Sequence, residues 1–203
     1  GQRESLVVTL QQSWRWVLAS ALALVALVLT LQQWGLPLAS RAVVAATPLS
    51  VDQSLGEASL TLLDGHLMLP SKLPLDQQNR LRAALDKAAG ALPAGSLPRW
   101  QLLFRKSRIG PNAFALPGGT LVMTDELMEL VEGDDKVLIA VLAHELGHVQ
   151  HRHGVRMLVQ ATALSALAGA VLGDFSTVLA GLPVLLGQAS YSRQAEHEAD
   201  AQA

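Results

Sequence analysis

The chain has 203 residues, a formal net charge of −2 and a composition that is half hydrophobic. That length holds one domain plus an anchoring helix, and the near-neutral balance leaves no basic footprint, which excludes nucleic acid as a partner. With no cysteine, disulfides and thiolate metal ligation are excluded, so any metal must be held by histidines and carboxylates.

Trp16 to Leu31 runs without a charge, flanked by Trp14, Arg15 and Trp34. As a helix it spans about 24 Å, a little short of a ~30 Å hydrocarbon core, and tryptophans at both ends suit the two interfaces. The pattern predicts a transmembrane anchor over residues 1–35. The rival is a signal peptide cleaved near Val44-Ala45-Ala46, which would make the protein secreted or periplasmic; the long apolar run and sparse arginines favour the anchor. Arg3 and Arg15 precede the segment and Arg41 follows it, so positive-inside bias places the N-terminus in the cytoplasm of a bacterial-type inner membrane and the rest in the periplasm. Residues 36–50 read as a linker containing Pro48, and 51–203 as the main domain.

Val51 to Pro70 reads as short strands turning at Asp64-Gly65. Leu75 to Leu92 reads as an amphipathic helix with Leu81, Leu85, Ala88 and Leu92 on one face, and Trp100 to Lys106 as a strand. The segment Asn112-Ala113-Phe114-Ala115-Leu116-Pro117-Gly118-Gly119 is punctuated by a Pro-Gly-Gly turn and predicts a hairpin, either an ordinary one of the core or an exposed edge able to bind an extended peptide. A short helix is expected near Asp125–Glu132.

Asp134 and Asp135 then cap a helix whose apolar positions Val137, Leu138, Val141, Leu142 and Leu146 recur at helical spacing. It carries His144-Glu145-Leu146-Gly147-His148, the HExxH pattern of zinc peptidases. Histidines four residues apart share a helix face, so both imidazoles can reach one Zn²⁺ at about 2.0–2.1 Å. Glu145 leans beside the metal, where its carboxylate can take a proton from an activated water. A surface helix with two histidines satisfies the same letters, and a third ligand decides between the two. The HExxHxxGxxH arrangement is excluded, because His151 and Gly154 stand where it needs glycine and histidine. His66, His151 and His153 read as surface or helix-end residues, and a helix dipole accounts for His151-Arg152-His153, with a catalytic role for His153 as the alternative.

Met157 to Ala189 is a second apolar region with Asp174 as its lone charge. It predicts two buried or interfacial helices joined near Gly173-Asp174, neither half reaching ~20 strongly apolar residues, with a transmembrane hairpin as the alternative. Beyond it the chain reads Tyr191-Ser192-Arg193-Gln194-Ala195-Glu196-His197-Glu198-Ala199-Asp200.

HExxH followed some tens of residues later by SRxxExxAD resembles the gluzincin family of zinc metallopeptidases that contains the Ste-type CAAX prenyl proteases, HtpX, the Oma-type proteases and BepA. The resemblance covers roughly residues 100–200 and includes the NAFALPGG segment. It implies one Zn²⁺ per chain held by His144, His148 and Glu196, with Glu145 as catalytic base. Asp200 would orient a ligating histidine, and Asn112, Ala113 and Phe114 would bind substrate along an edge strand. Glu198 should point elsewhere, Arg193 pairs with a site carboxylate or sits in solvent, and His197 reads as an exposed helix residue. Relatives continue past the equivalent of Asp200, so the oxyanion stabiliser is expected beyond residue 203.

These readings imply an α+β fold: a mainly helical zincin-like domain, a small sheet with an edge hairpin at the cleft, and an N-terminal transmembrane helix. The implied function is a membrane-anchored zinc endopeptidase acting on protein or peptide substrates in envelope quality control. Two rivals differ structurally. A chaperone or adaptor would close its zinc with a fourth ligand such as His197, and a metal-free scaffold would break the helix between His144 and His148.

Overall fold

The structure, a computed structural model, describes residues 14–93, 95, 97–172 and 191–201, with backbone alone at 164 and 167–172. The chain divides into two compact units whose boundary falls between Val43 and Val44.

The first unit is helical. Its helix α1 (Trp14–Thr30) is hydrophobic all round with no buried residue, a composition stable in a core or in a membrane. Among the described residues, Trp14–Ala46 is the helical run long and apolar enough to cross a membrane, its most apolar 18-residue stretch having a mean hydropathy of 1.9. The composition predicts a linker over 36–50, but α2 (Leu36–Ala46) carries the helix onward. Pro37 lacks an N–H and its ring crowds the carbonyl four residues back; one π-helical turn at Leu31–Gly35 widens the helix and absorbs the misfit.

In the second unit, the strands predicted over 51–70 are replaced by α3 (Leu49–His66). Its buried positions are Asp52, Gly56, Ser59 and Leu63, which recur at helical spacing. Three of the four are small or polar, so the stripe is invisible to a hydrophobicity count. What remains of the predicted strands is β1 (Met68–Pro70). The helix α4 (Leu75–Gly90) follows, burying Leu81 and Leu85 as its pattern predicts, and then come β2 (Gln101–Ser107), β3 (Ala113–Leu116), a 3-10 turn at Pro117–Gly119 and β4 (Thr120–Thr124).

The four strands form one sheet in the order β1-β2-β4-β3. β1 is antiparallel to β2, β2 parallel to β4, and β3 antiparallel to β4 with Phe114 opposite Val122 and Ala115 opposite Leu121. β3 is therefore an edge strand, as the hairpin reading requires. Gly118 in the turn has φ 79°, a conformation side-chain-bearing residues disfavour, and a Cβ there would lie 2.7 Å from Gln53 Cα. That close approach seats α3 against the turn.

After α5 (Asp125–Leu130), capped by the Thr124 hydroxyl, comes α6 (Asp135–Gln150), whose N-cap Asp134 accepts from Lys136 N at 2.9 Å. α6 buries Leu138, Leu142 and Leu146 in one core with Leu81, Leu85, Phe104, Leu121 and Met123. Each fully buried leucine contributes about 1.5–3 kcal/mol, so the face of α6 opposite its histidines is firmly fixed to sheet and α4. Arg152, with φ 53°, turns the chain into α7 (His153–Leu172). The joint predicted near Gly173-Asp174 and the second helix to Ala189 lie outside the described residues. α8 (Arg193–Asp200) closes the described chain. The architecture is the expected one, mostly helical with a small sheet and an N-terminal apolar helix.

Candidate metal centre

The site is assembled where α8 crosses α6. A Cβ on Gly147 would lie 2.8 Å from Ala199 Cα and 2.9 Å from Ala199 O, so only glycine lets the two helices approach this closely. Ala199 is wholly buried, and α8 starts with the Ser192 hydroxyl accepting from Ala195 N at 3.3 Å. With that crossing fixed, Glu196 and Asp200, one turn apart on α8, both face α6.

His144 Nε2 lies 3.1 Å from His148 Nε2 and 3.2 Å from Glu196 Oε2, and His148 Nε2 lies 3.9 Å from the same oxygen. Among the described residues this trio is the set of side chains whose ligand atoms converge to hold a metal ion. A point equidistant from the three atoms lies about 2.0 Å from each, the bond length zinc makes to imidazole nitrogen and carboxylate oxygen. The donor chemistry agrees with the distances. His144 Nδ1 donates to Asp200 Oδ1 at 2.9 Å, which leaves its Nε2 lone pair turned inward. Burial, reinforced by neighbouring His153 and His144, pushes the His148 pKa down to about 3, so its imidazole is neutral and able to ligate at pH 7. Two lone pairs and a carboxylate aimed at one point repel one another until a cation joins them.

Glu145 stands beside this cluster on the side of the sheet edge, its Oε2 accepting from Ala115 N at 3.0 Å. Burial raises its pKa to about 8; the Ala115 N–H pulls it down and the Glu196 charge adds to the rise. The Tyr191 ring stacks on His148 with centroids 3.9 Å apart and planes 22° apart. Burial, with the charges of Glu145 and Glu196, raises the pKa of its phenol, which keeps its proton across the physiological range.

The structure thus brings together His144, Glu145, His148, Glu196 and Asp200. It does not present the predicted substrate residues as predicted. Phe114 is buried with Leu63, Met68, Leu116 and Val122, so its side chain belongs to the core. Asn112 is tied to the end of β4, its N–H donating to Thr124 Oγ1 at 2.7 Å and its carbonyl accepting from Thr124 N. Because backbone groups alternate along a strand, Ala113 shares the direction of Ala115, whose N–H faces Glu145. The edge that faces α6 is therefore read at Ala113 and Ala115.

Two further readings, those of His153 and Arg152, are corrected. His153 is 2% exposed, not a surface residue: its Nδ1 lies 2.8 Å from His148 Nδ1 and its Nε2 lies 3.0 Å from Glu198 Oε2. Glu198 points elsewhere than Glu196, as read, and its target is His153 and Arg156 on α7. Burial acts to raise its pKa, but the bonds from His153 and Arg156 outweigh this and hold it below the usual range. Arg152 is no mere dipole partner, since it grips Asp52 and donates to the carbonyls of Val44 and Thr47 at 2.6 and 3.0 Å. Nothing local in the sequence marks these contacts, which depend on the left-handed turn at Arg152. His197 is exposed and does not join the converging trio, and α6 runs unbroken through His144 and His148.

The model of peptidase family M48 matches residues 75–203. The chain is 38% identical over 96 residues to the mitochondrial metalloendopeptidase OMA1 of Schizosaccharomyces pombe, covering 44% of this chain and 27% of that protein. It is 34% identical over 106 residues to OMA1 of Saccharomyces cerevisiae, covering 50% and 30%. With the Vibrio cholerae protein named "Putative beta-barrel assembly-enhancing protease" it shares 28% identity over 176 residues, 77% of this chain and 34% of that protein. The chain spans about a third of the length of these curated relatives.

Proposed function

The chain belongs to peptidase family M48, and from that premise we propose that it is a membrane-anchored zinc endopeptidase that cleaves unfolded or misassembled proteins of the bacterial envelope. The observation that carries the reading is the convergence of His144 Nε2, His148 Nε2 and Glu196 Oε2 on one point with Glu145 beside it. Three protein ligands are the number a catalytic zinc uses, the remaining position serving water or substrate. Bound there, zinc would supply Lewis-acid polarisation of the scissile carbonyl and lower the pKa of water toward ~7.

The protein's own groups would do the rest. Glu145 takes the proton from the attacking water and returns it to the leaving amine; its burial, which raises its basicity, suits it to both halves of that exchange. The Ala115 N–H holds the Glu145 carboxylate against α6. An extended substrate would add to the edge of β3, bonded by the main chain of Ala113 and by the carbonyl of Ala115, whose N–H is held by Glu145, and running antiparallel past the site. Asp200 fixes the tautomer and ring angle of His144.

The membrane reading rests on the run Trp14–Ala46, and the positive-inside bias of Arg3 and Arg15 against Arg41 supports a periplasmic peptidase unit. The name of the Vibrio cholerae relative supports an envelope substrate.

Glu145→Gln tests the proposal. Casein cleavage should fall by about 10²–10⁴-fold while zinc content stays that of the wild type. Equal cleavage at equal zinc overturns the assignment of Glu145. The wild-type protein should also remain in membranes washed with alkaline carbonate; release into the wash overturns the anchor.

A further inference from the structure

We propose that His153 is a positioning residue for the metal, holding His148 through a hydrogen-bond chain, His148 to His153 to Glu198, that spans the junction of α6, α7 and α8; this rests on the zinc-site reading above. An imidazole that ligates through Nε2 must carry its proton on Nδ1. His148 Nδ1–H then donates to His153 Nδ1 at 2.8 Å, which obliges His153 to carry its own proton on Nε2. That proton meets Glu198 Oε2 at 3.0 Å. The same oxygen accepts from Arg156 Nη1 at 3.1 Å, and Oε1 accepts from Gln194 Nε2 at 3.1 Å. One choice of tautomer satisfies every donor and acceptor in the chain.

The opposite choice fails at its far end. If His148 held its proton on Nε2, His153 Nδ1 would have to donate, and its bare Nε2 would face the Glu198 carboxylate, acceptor against acceptor, at 3.0 Å. Glu198, paired with Arg156, therefore dictates where the proton of His148 resides. The anion thus selects, at one remove, the tautomer of His148 whose Nε2 lone pair points at Glu196 and His144.

The backbone is built to deliver this contact. The left-handed residue Arg152 folds α7 back so that its first residue lies under the last turn of α6. Its guanidinium is anchored on Asp52 and on the carbonyls of Val44 and Thr47, so the turn cannot relax easily. Glu198 stands two residues from Glu196 on α8, so the chain also locks the helix carrying the third ligand to the helix carrying the other two.

The test compares His153→Leu, which removes the acceptor, with His153→Asn, whose side-chain oxygen can occupy the place of Nδ1. Both are made in the full chain in detergent. Zinc affinity is read by chelator competition, the ligand field by the visible spectrum of the Co²⁺-substituted protein, and folding by thermal unfolding of the metal-free form. His153→Leu should weaken zinc by about 10–100-fold and shift the cobalt bands, and His153→Asn should recover most of both. Wild-type zinc affinity in His153→Leu overturns the proposal, as does equal weakening by Leu and Asn, which would reduce His153 to packing. Should His153→Leu fail to fold, Glu198→Gln decides: it keeps an acceptor but loses the charge, so several-fold weaker zinc upholds the chain and unchanged zinc overturns it. A wild-type protein that binds no zinc fails the metal reading itself, an outcome distinct from all of these.

Discussion

The two histidines of the candidate metal centre sit four residues apart on one helix, yet they are supported in opposite ways. The His144 side chain is 25% exposed and is oriented by a carboxylate directly, through Asp200. His148 is 2% exposed, stacked under Tyr191, and is oriented by a second imidazole with the carboxylate one residue further out. The difference follows from solvation. At the rim, Asp200 keeps its own water and its charge is cheap to hold. Against buried His148, a carboxylate would lose that water at a cost of several kcal/mol in an ion's desolvation, so a neutral ring intervenes and the anion stands where Arg156 can pair with it.

The sharpest way to break this comparison is to delete each ring. Both His144→Ala and His148→Ala should abolish stoichiometric zinc binding, since two protein ligands remain. They should differ in the metal-free protein. His148→Ala opens a cavity under Tyr191 and strands His153 Nδ1, so it should destabilise by about 2–4 kcal/mol, whereas His144→Ala, at the rim, should cost under about 1 kcal/mol. Denaturant unfolding in the presence of a chelator measures both. Equal losses would show that the buried and exposed halves are not energetically distinct.

A smaller effect is expected one bond away. Asp200→Ala should weaken zinc by about 10–100-fold, and Asp200→Asn, which still accepts from His144 Nδ1, by less. Because Asp200 is solvated, neither should change the stability of the metal-free protein; a drop would mean that Asp200 holds α8 in place and does not merely orient His144.

The same contrast explains what the sequence reveals. His144, Glu145 and His148 are legible because a single helix sets their spacing, and Glu196 with Asp200 because one helical turn separates them and the resemblance supplies their partners. The edge strand is legible from Pro-Gly-Gly. The support of His148 is not, because it depends on a left-handed Arg152 and on α8 returning from far along the chain. Neither leaves a periodic trace. Helix α3 escapes for another reason: in its buried stripe of Asp52, Gly56, Ser59 and Leu63, Gly56 serves close approach to the Pro117–Gly119 turn and Asp52 the ion pair with Arg152, which leaves Leu63 as the one apolar position. The π-turn before Pro37 likewise hides a continuous helix behind a residue that usually ends one.

The smallest effect, and the finest probe of the buried half, is the pH dependence of stability in the metal-free protein. His148 is lowered from 6.5 to about 3 by burial and by its histidine neighbours, and burial lowers His153 as well. Below pH 6.5 the unfolded chain therefore takes up protons that the folded chain refuses, and stability should fall as the pH drops toward 3. Glu145 acts in the other direction. Burial raises it from 4.5 to about 8, so between those values the folded chain holds a proton that the unfolded chain has released, and stability falls as the pH rises. Below pH 6.5 two histidines outweigh one carboxyl, and above it Glu145 acts alone among these groups, so the unfolding midpoint should be highest near pH 6.5 and decline on both sides. Zinc changes only one limb in kind: a divalent charge beside Glu145 favours its ionised form, which removes the alkaline decline while steepening the acid one, because protons and metal compete for His148. A midpoint that climbs steadily to pH 8 without metal would show Glu145 already ionised against the strand edge, and the proton it is proposed to take from water would have to be accommodated by a weaker base.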